Sequence, residues 1–212
     1  MRKAVILSAV ILVMMFAASA AFYGQLPDQI PSHWNAAGEV NGYMPKFWGL
    51  FLMPLITGGV ILLFLVIPKI DPLKSNIRKF MGYFDGMIVT MAGFMAYLHA
   101  LIILFSLGYT FNMTQLLIPA MGLLFIYIGF LLGKVKKNWF VGIRTPWTMS
   151  SDKVWDKTHK LGGTLFKASG IITLFGLVFT GYEIWFMIIP VIASAMYLVV
   201  YSYFEYRKQV NK

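Results

Sequence analysis

The stretch NWFVGIRTPWTMSSDKVWDKTHKLGG, Asn138 to Gly163, decides how this chain is read. It carries Trp139, Trp147 and Trp155 among Arg144, Asp152, Lys153, Asp156, Lys157 and Lys160, and a long apolar run lies on each side of it. Across the 212 residues, 59% are hydrophobic and only 12% are charged. A soluble domain carries about twice that charge. The chain is therefore read as an integral membrane protein, and the quoted segment as a part that it presents at one membrane surface.

Working outward, six runs have the roughly 20 apolar residues that cross a bilayer as a helix. They are Ala4–Phe22, Phe47–Ile67, Phe84–Leu107, Gln115–Leu132, Gly163–Thr180 and Ile184–Phe204. Backbone groups in lipid must be satisfied within the segment, which makes these runs helices. They do not alternate as barrel strands do. The expected fold is an all-α bundle of about six transmembrane helices. It divides into residues 1–67, with an outer loop over about 23–46, and a four-span region over 68–212, with an inner loop over about 133–162.

The charge is +10. In a soluble protein that would suggest nucleic acid; here its placement matters more. Arg2 and Lys3 precede the first span. Lys69, Lys74, Arg78 and Lys79 lie between spans two and three. Lys134, Lys136, Lys137, Arg144, Lys153, Lys157 and Lys160 lie between four and five, and Arg207, Lys208 and Lys212 follow the sixth. Only Lys46 falls in a loop on the other side, with Lys167 just inside span five. Basic residues mark the cytoplasmic face, so both termini are expected on the cytoplasmic side of the membrane. Arg2, Lys3 and Ala18-Ser19-Ala20 also resemble a cleavable leader, but the apolar run is long for one and continues through Phe22. Cysteine is absent, which excludes disulfide and thiol chemistry.

Within the opening stretch, Gly142 and Pro146 predict an irregular segment. Ser150 or Ser151 then caps a helix, with Asp152 in its first turn, and Gly162 and Gly163 offer a stop. The result is a short amphipathic helix, about Asp152 to Leu161, with Val154, Trp155, Thr158 and Leu161 on its apolar face. It is expected to lie in the cytoplasmic interface between spans four and five, its lysines toward anionic lipid. The plain alternative is an aromatic anchor made by the three tryptophans. The sharper reading is a partner- or lipid-binding surface of Arg144, Thr145, Pro146, Trp147, Trp155 and His159, because the arginine fork suits carboxylate or phosphate.

Other residues carry weaker signals. His33 with Asp28 and Glu39 lacks metal-site spacing. In the outer loop, Pro27, Ile30, Pro31, His33 and Trp34 offer a ligand surface. Asp85 and His99 sit within span three, on one helix face but roughly 21 Å apart along its axis, with Lys79 or Arg78 as the expected partner of Asp85. His99 is read as a histidine bonded to a neighbouring helix, with a proton relay as the alternative. Asp156 and His159, with Ser150 or Ser151 nearby, do not make a hydrolase, since no strained G-x-S-x-G turn is present. Asn112-Met113-Thr114 fits a glycosylation pattern by chance. No catalytic residue, cofactor or metal is expected.

At GIRTPWT, followed by Val154-Trp155 and Thr158-His159, the sequence closely resembles the signature of the Sdp immunity protein family of bacterial multi-span membrane proteins. The outer loop is similar to a small domain often found at the front of that family, through Leu26, Pro27, Ile30, Pro31, His33, Trp34, Gly38, Gly42, Tyr43 and Lys46. The resemblance covers nearly the whole chain. It implies protection against a secreted peptide toxin bound outside, and a receptor-like role in which a bacterial autorepressor is held at the membrane. The alternatives are a small-solute or proton-coupled transporter and, further off, a membrane enzyme.

Overall fold

The computed structural model describes residues 2–211. Its elements in order are α1 (Lys3–Phe22), β1 (Gln29–Trp34), β2 (Val40–Pro45), α2 (Lys46–Ile70), α3 (Lys74–Arg78), α4 (Met81–Ser106), α5 (Met113–Leu132), α6 (Pro146–Ser150), α7 (Asp152–Phe175) and α8 (Glu183–Val210). Among the described residues, six helices are long and apolar enough to cross a membrane: α1, α2, α4, α5, α7 and α8. The chain is a multi-pass helical membrane protein. Helix α1 packs on α4 and α2, α5 on α7, and α7 on α8, so the two sequence segments share one bundle.

The α5–α7 contact rests on glycine. A Cβ on Gly129 would lie 2.8 Å from Gly163 O, and one on Gly170 would lie 2.5 Å from Gly122 O. The two glycines of each helix are seven residues apart, so antiparallel backbones meet twice along one seam. Small residues at a membrane helix interface permit that approach, where dispersion acts over many atoms. This corrects the expected helix stop. Gly162 and Gly163 do not end anything; α7 runs unbroken from Asp152 to Phe175. The proposed interfacial helix is its first turns, and a glycine pair that reads as a stop is held helical by the neighbouring backbone. Ser151 is the cap, its hydroxyl accepting from Val154 N.

Two helix prolines free carbonyls that other helices satisfy. Pro54 in α2 has no N–H for Leu50 O. The Ser19 hydroxyl donates to Leu50 O at 2.8 Å, and His99 Nε2 lies 3.0 Å from it. Pro190 in α8 likewise frees Phe186 O, which accepts from Thr173 Oγ1 at 3.4 Å.

The outer loop folds as a hairpin, which the alternation-free sequence did not show. Strands β1 and β2 pair antiparallel from Gln29 opposite Pro45 to Trp34 opposite Val40, with irregularities around His33. Asn35 closes its turn by accepting from Ala37 N and Glu39 N. Gly38 takes φ +83 there, and a Cβ would strike the Asn112 side chain. Ile30 is fully buried with Leu26, Leu50 and Ile103, and packs where Gly49 leaves room.

Candidate functional site

At the opposite end from the hairpin, residues 133–151 form a loop whose shape is set by buried side chains bonding to backbone. Asn138 is fully buried. Its Nδ2 donates to Lys136 O and Val141 O at 2.8 Å each, and its Oδ1 accepts from Phe140 N at 2.9 Å and Val141 N at 2.7 Å. Asp71, buried just after α2, accepts from Leu73 N and, at 2.9 Å, from Trp139 N. Asn76 donates to Lys137 O at 2.9 Å. The loop is thus fastened to the α2–α3 turn.

The helix end supplies the second set of supports. Trp155 and His159 are each 1% exposed and stack at 3.9 Å. Trp155 Nε1 donates to Val135 O, and His159 Nε2 accepts from Ile143 N at 2.8 Å. Nδ1 of the same imidazole faces Trp155 O at 2.8 Å, so it carries the proton and the neutral tautomer is fixed by two backbone groups. Gly142 sits against this ring with φ +122, where a Cβ would meet Nε2 at 2.5 Å. A glycine is required there by both backbone and space.

Thr145 then caps α6 through a reciprocal pair with Thr148, and Pro146 takes the first helical position. The Thr145 hydroxyl also meets Ser202 Oγ of α8 at 3.0 Å. Ser151 donates to Gln209, and Lys157 pairs with Glu205, which also receives Lys208. The end of α8 therefore latches the loop from the other side. What remains outward is Trp139, Arg144, Pro146 and half of Trp147; the first three line an open cavity of about 520 Å³ with Met149 and Gly142. Arg144 is exposed, with Nη1 donating to Trp139 O. Trp147 packs edge-on against Tyr203 at 5.1 Å.

The structure thus sorts the expected inner surface. Arg144, Pro146 and Trp147 reach the outside. Thr145, Trp155 and His159 are buried and shape what the others present. The face of Val154, Trp155 and Thr158, expected in the headgroups, is turned into the protein because α5, α6 and α8 surround it. Asp156 pairs with Lys136 at 3.0 Å and not with His159. Sequence reasoning missed Asn138 and Asp71. Their signal was an Asn or Asp with backbone donors two or three residues on, the local turn those side chains favour. Ser202, Glu205 and Gln209 had no comparable signal.

At the hairpin end, Pro27 and His33 are exposed, Trp34 is half-buried edge-on to Phe105 at 5.8 Å, and Ile30 and Pro31 face the bundle. The apolar groups standing outward there include Tyr23, Tyr43, Phe47, Trp48 and Tyr109. Asp28 pairs with Lys46, His33 with Asn41 and Glu39 with Asn35, each separately. Among the described residues, no three metal-ligating side chains gather. Asn112 caps α5 and donates to Ala37 O of the hairpin turn. Within α4, Asp85 pairs with Arg2 at 3.0 Å, a correction of the expected Lys79 or Arg78; the true partner lies on α1's entry.

Fold and site together define a six-span membrane protein with a hairpin over one end and a rigid polar loop at the other. A family model described as the SdpI/YfhL protein family matches residues 134–203, nearly all of that loop with α7 and most of α8. A second, described as a domain of unknown function (DUF1648), matches residues 10–58 and so includes the hairpin. The chain is 26% identical over 204 residues to "Immunity protein SdpI" of Bacillus subtilis (strain 168), covering 96% of each. The chain thus resembles the SdpI family over its loop end and that immunity protein over nearly its whole length. No solved structure matches it.

Proposed function

We propose that this protein is an immunity factor of the bacterial cell membrane, protecting against a secreted peptide toxin. We further propose that it is oriented with the hairpin outside and both termini in the cytoplasm. The observation that carries the first reading is the likeness over 96% of both chains to a protein named for immunity. The orientation rests on charge: the loop end collects Arg2, Lys69, Lys74, Arg78, Lys134 and Arg144, against Lys46 at the hairpin end.

Two surfaces then take two roles. The outward aromatics around the hairpin, with Pro27, His33 and the edge of Trp34, offer contact area to a peptide. The platform of Trp139, Arg144 and Trp147 offers a planar cation among aromatics to an acidic partner, which we identify with a transcriptional repressor held at the membrane when toxin is bound. Anionic lipid is the competing occupant of the same platform. The transport reading rested on Asp85, His99 and Lys167, and each has a structural partner: Arg2, the freed Leu50 carbonyl and the Phe130 ring.

The test is survival. The chain is expressed in a toxin-sensitive bacterium lacking its own immunity gene, and the toxin is titrated. Wild type is expected to raise the tolerated concentration, and Arg144→Ala at equal membrane level to keep protection while losing repressor recruitment. Wild type that reaches the membrane and gives no protection overturns the immunity reading; unchanged recruitment in Arg144→Ala overturns the role of the platform.

A further inference from the structure

A cavity of about 380 Å³ opens between α1 and α4 toward the membrane, in the half of the bundle nearer the hairpin. Its walls are apolar, with Met14, Ala18 and Phe22 on one side and Gly93, Ala100 and Leu104 on the other. Met14 and Leu104 are open to the surroundings, so the cavity is reached sideways through the bilayer. Among the described residues one titratable side chain lines it: His99, 2% exposed.

The ring's hydrogen bonds fix which nitrogen is free. Leu50 O can only accept, and it lies 3.0 Å from His99 Nε2. Ser19 gives its own proton to Leu50 O, so its oxygen faces Nε2 as an acceptor at 3.0 Å. Both neighbours require the proton on Nε2. The neutral ring then carries a bare lone pair on Nδ1. Among the described residues Nδ1 has no hydrogen-bond partner, and its ring lines the cavity. About 10 Å of helix separate His99 from the end of α4, a depth where water is scarce.

We propose that this cavity binds a small membrane-dissolved amphiphile with an apolar body and one hydroxyl donor, the chemistry of an alkylphenol, with the hydroxyl bonded to His99 Nδ1. A lipid acyl chain fills the same walls but brings no donor to that depth, and leaves a buried acceptor unpaired. The proposal is independent of the immunity reading, because it concerns a different face of the bundle.

The full-length protein in nanodiscs is irradiated with a photoreactive alkylphenol, and labelled peptides are mapped by mass spectrometry. Unlabelled alkylphenol and its methyl ether, the same shape without the O–H, compete. Labelling is expected on the α1 and α4 walls, with the phenol competing about tenfold more strongly than the ether. Gly93→Leu is expected to abolish it: a Cβ there meets nothing within 4 Å, so the side chain fills the cavity and leaves the Ser19–His99–Leu50 contacts intact. Equal competition by the ether, labelling spread over all lipid-facing helices, or unchanged labelling in a folded Gly93→Leu protein each overturns the proposal. Should Gly93→Leu not fold, the phenol–ether comparison on wild type decides alone.

Discussion

The hairpin and the signature loop cap opposite ends of one bundle, and they are held by different forces. The hairpin is anchored by an apolar plug, with Ile30 set among Leu26, Leu50 and Ile103 and against the bare backbone of Gly49. Its polar bonds lie mostly at its exposed tip. The signature loop has the reverse construction. Its organising groups are Asn138, Asp71, His159 and Thr145, all buried and all bonded to backbone or to one another. A plug tolerates some change of shape around it, whereas a buried polar group is costly as soon as one partner is lost. The first end can therefore vary its outward residues freely; the second holds Arg144 and Trp147 in fixed places.

The comparison is broken most directly at Asn138. Asn138→Ala removes four bonds and orphans Lys136 O, Val141 O, Phe140 N and Val141 N. A loss of about 4 kcal/mol is expected, reduced where the freed groups reach water. Limited proteolysis should then cut within residues 133–151 while the hairpin stays protected. Equal protection of the loop in the variant and in wild type would mean that Asn138 is not its centre. Ile30→Ala is the matching change at the other end. It should lower stability by about 3 kcal/mol through a cavity, and loosen the hairpin without exposing the loop, as read by hydrogen exchange.

Gly142→Ala sharpens the picture at a single residue. It forces a side chain to φ +122 and into His159 Nε2. About 2 kcal/mol is expected from the backbone alone. If the steric part matters, Gly142→Ala combined with His159→Ala should cost less than the sum of the two singles, a coupling that thermal unfolding of the four proteins measures. Additive costs would leave only the backbone requirement.

The spans were legible because lipid imposes a length and a composition that six runs meet, and the Ser151 cap followed from local chemistry. The hairpin was hidden because Ile30 and Pro31 are adjacent and both buried, which breaks the period of two that marks a strand. The length of α7 was misread at Gly162-Gly163, since the dipeptide means a stop or a close approach according to what faces it, and Gly129 and Gly133 are thirty residues away in the chain. Asp85 was given a neighbour in sequence as its partner and found Arg2 instead, brought there by the packing of α1 on α4. At the candidate site of the loop end the sequence named residue types but not their burial, and burial divides them into exposed residues and supports.

That division yields the smallest predicted effect on stability. Arg144 is exposed, and among the described residues its one bond, from Nη1 to Trp139 O, lies at the surface. Arg144→Ala should shift thermal stability by less than about 0.5 kcal/mol. The same substitution at a support, such as His159→Ala, leaves Ile143 N without its acceptor and strips the stack from Trp155, and should cost several times more. The two variants separate function from folding. Loss of repressor recruitment in Arg144→Ala at wild-type stability would assign recognition to the guanidinium itself. A large destabilisation in that variant would instead make Arg144 another strut of the loop, and the surface presented to a partner would shrink to Trp139, Pro146 and Trp147.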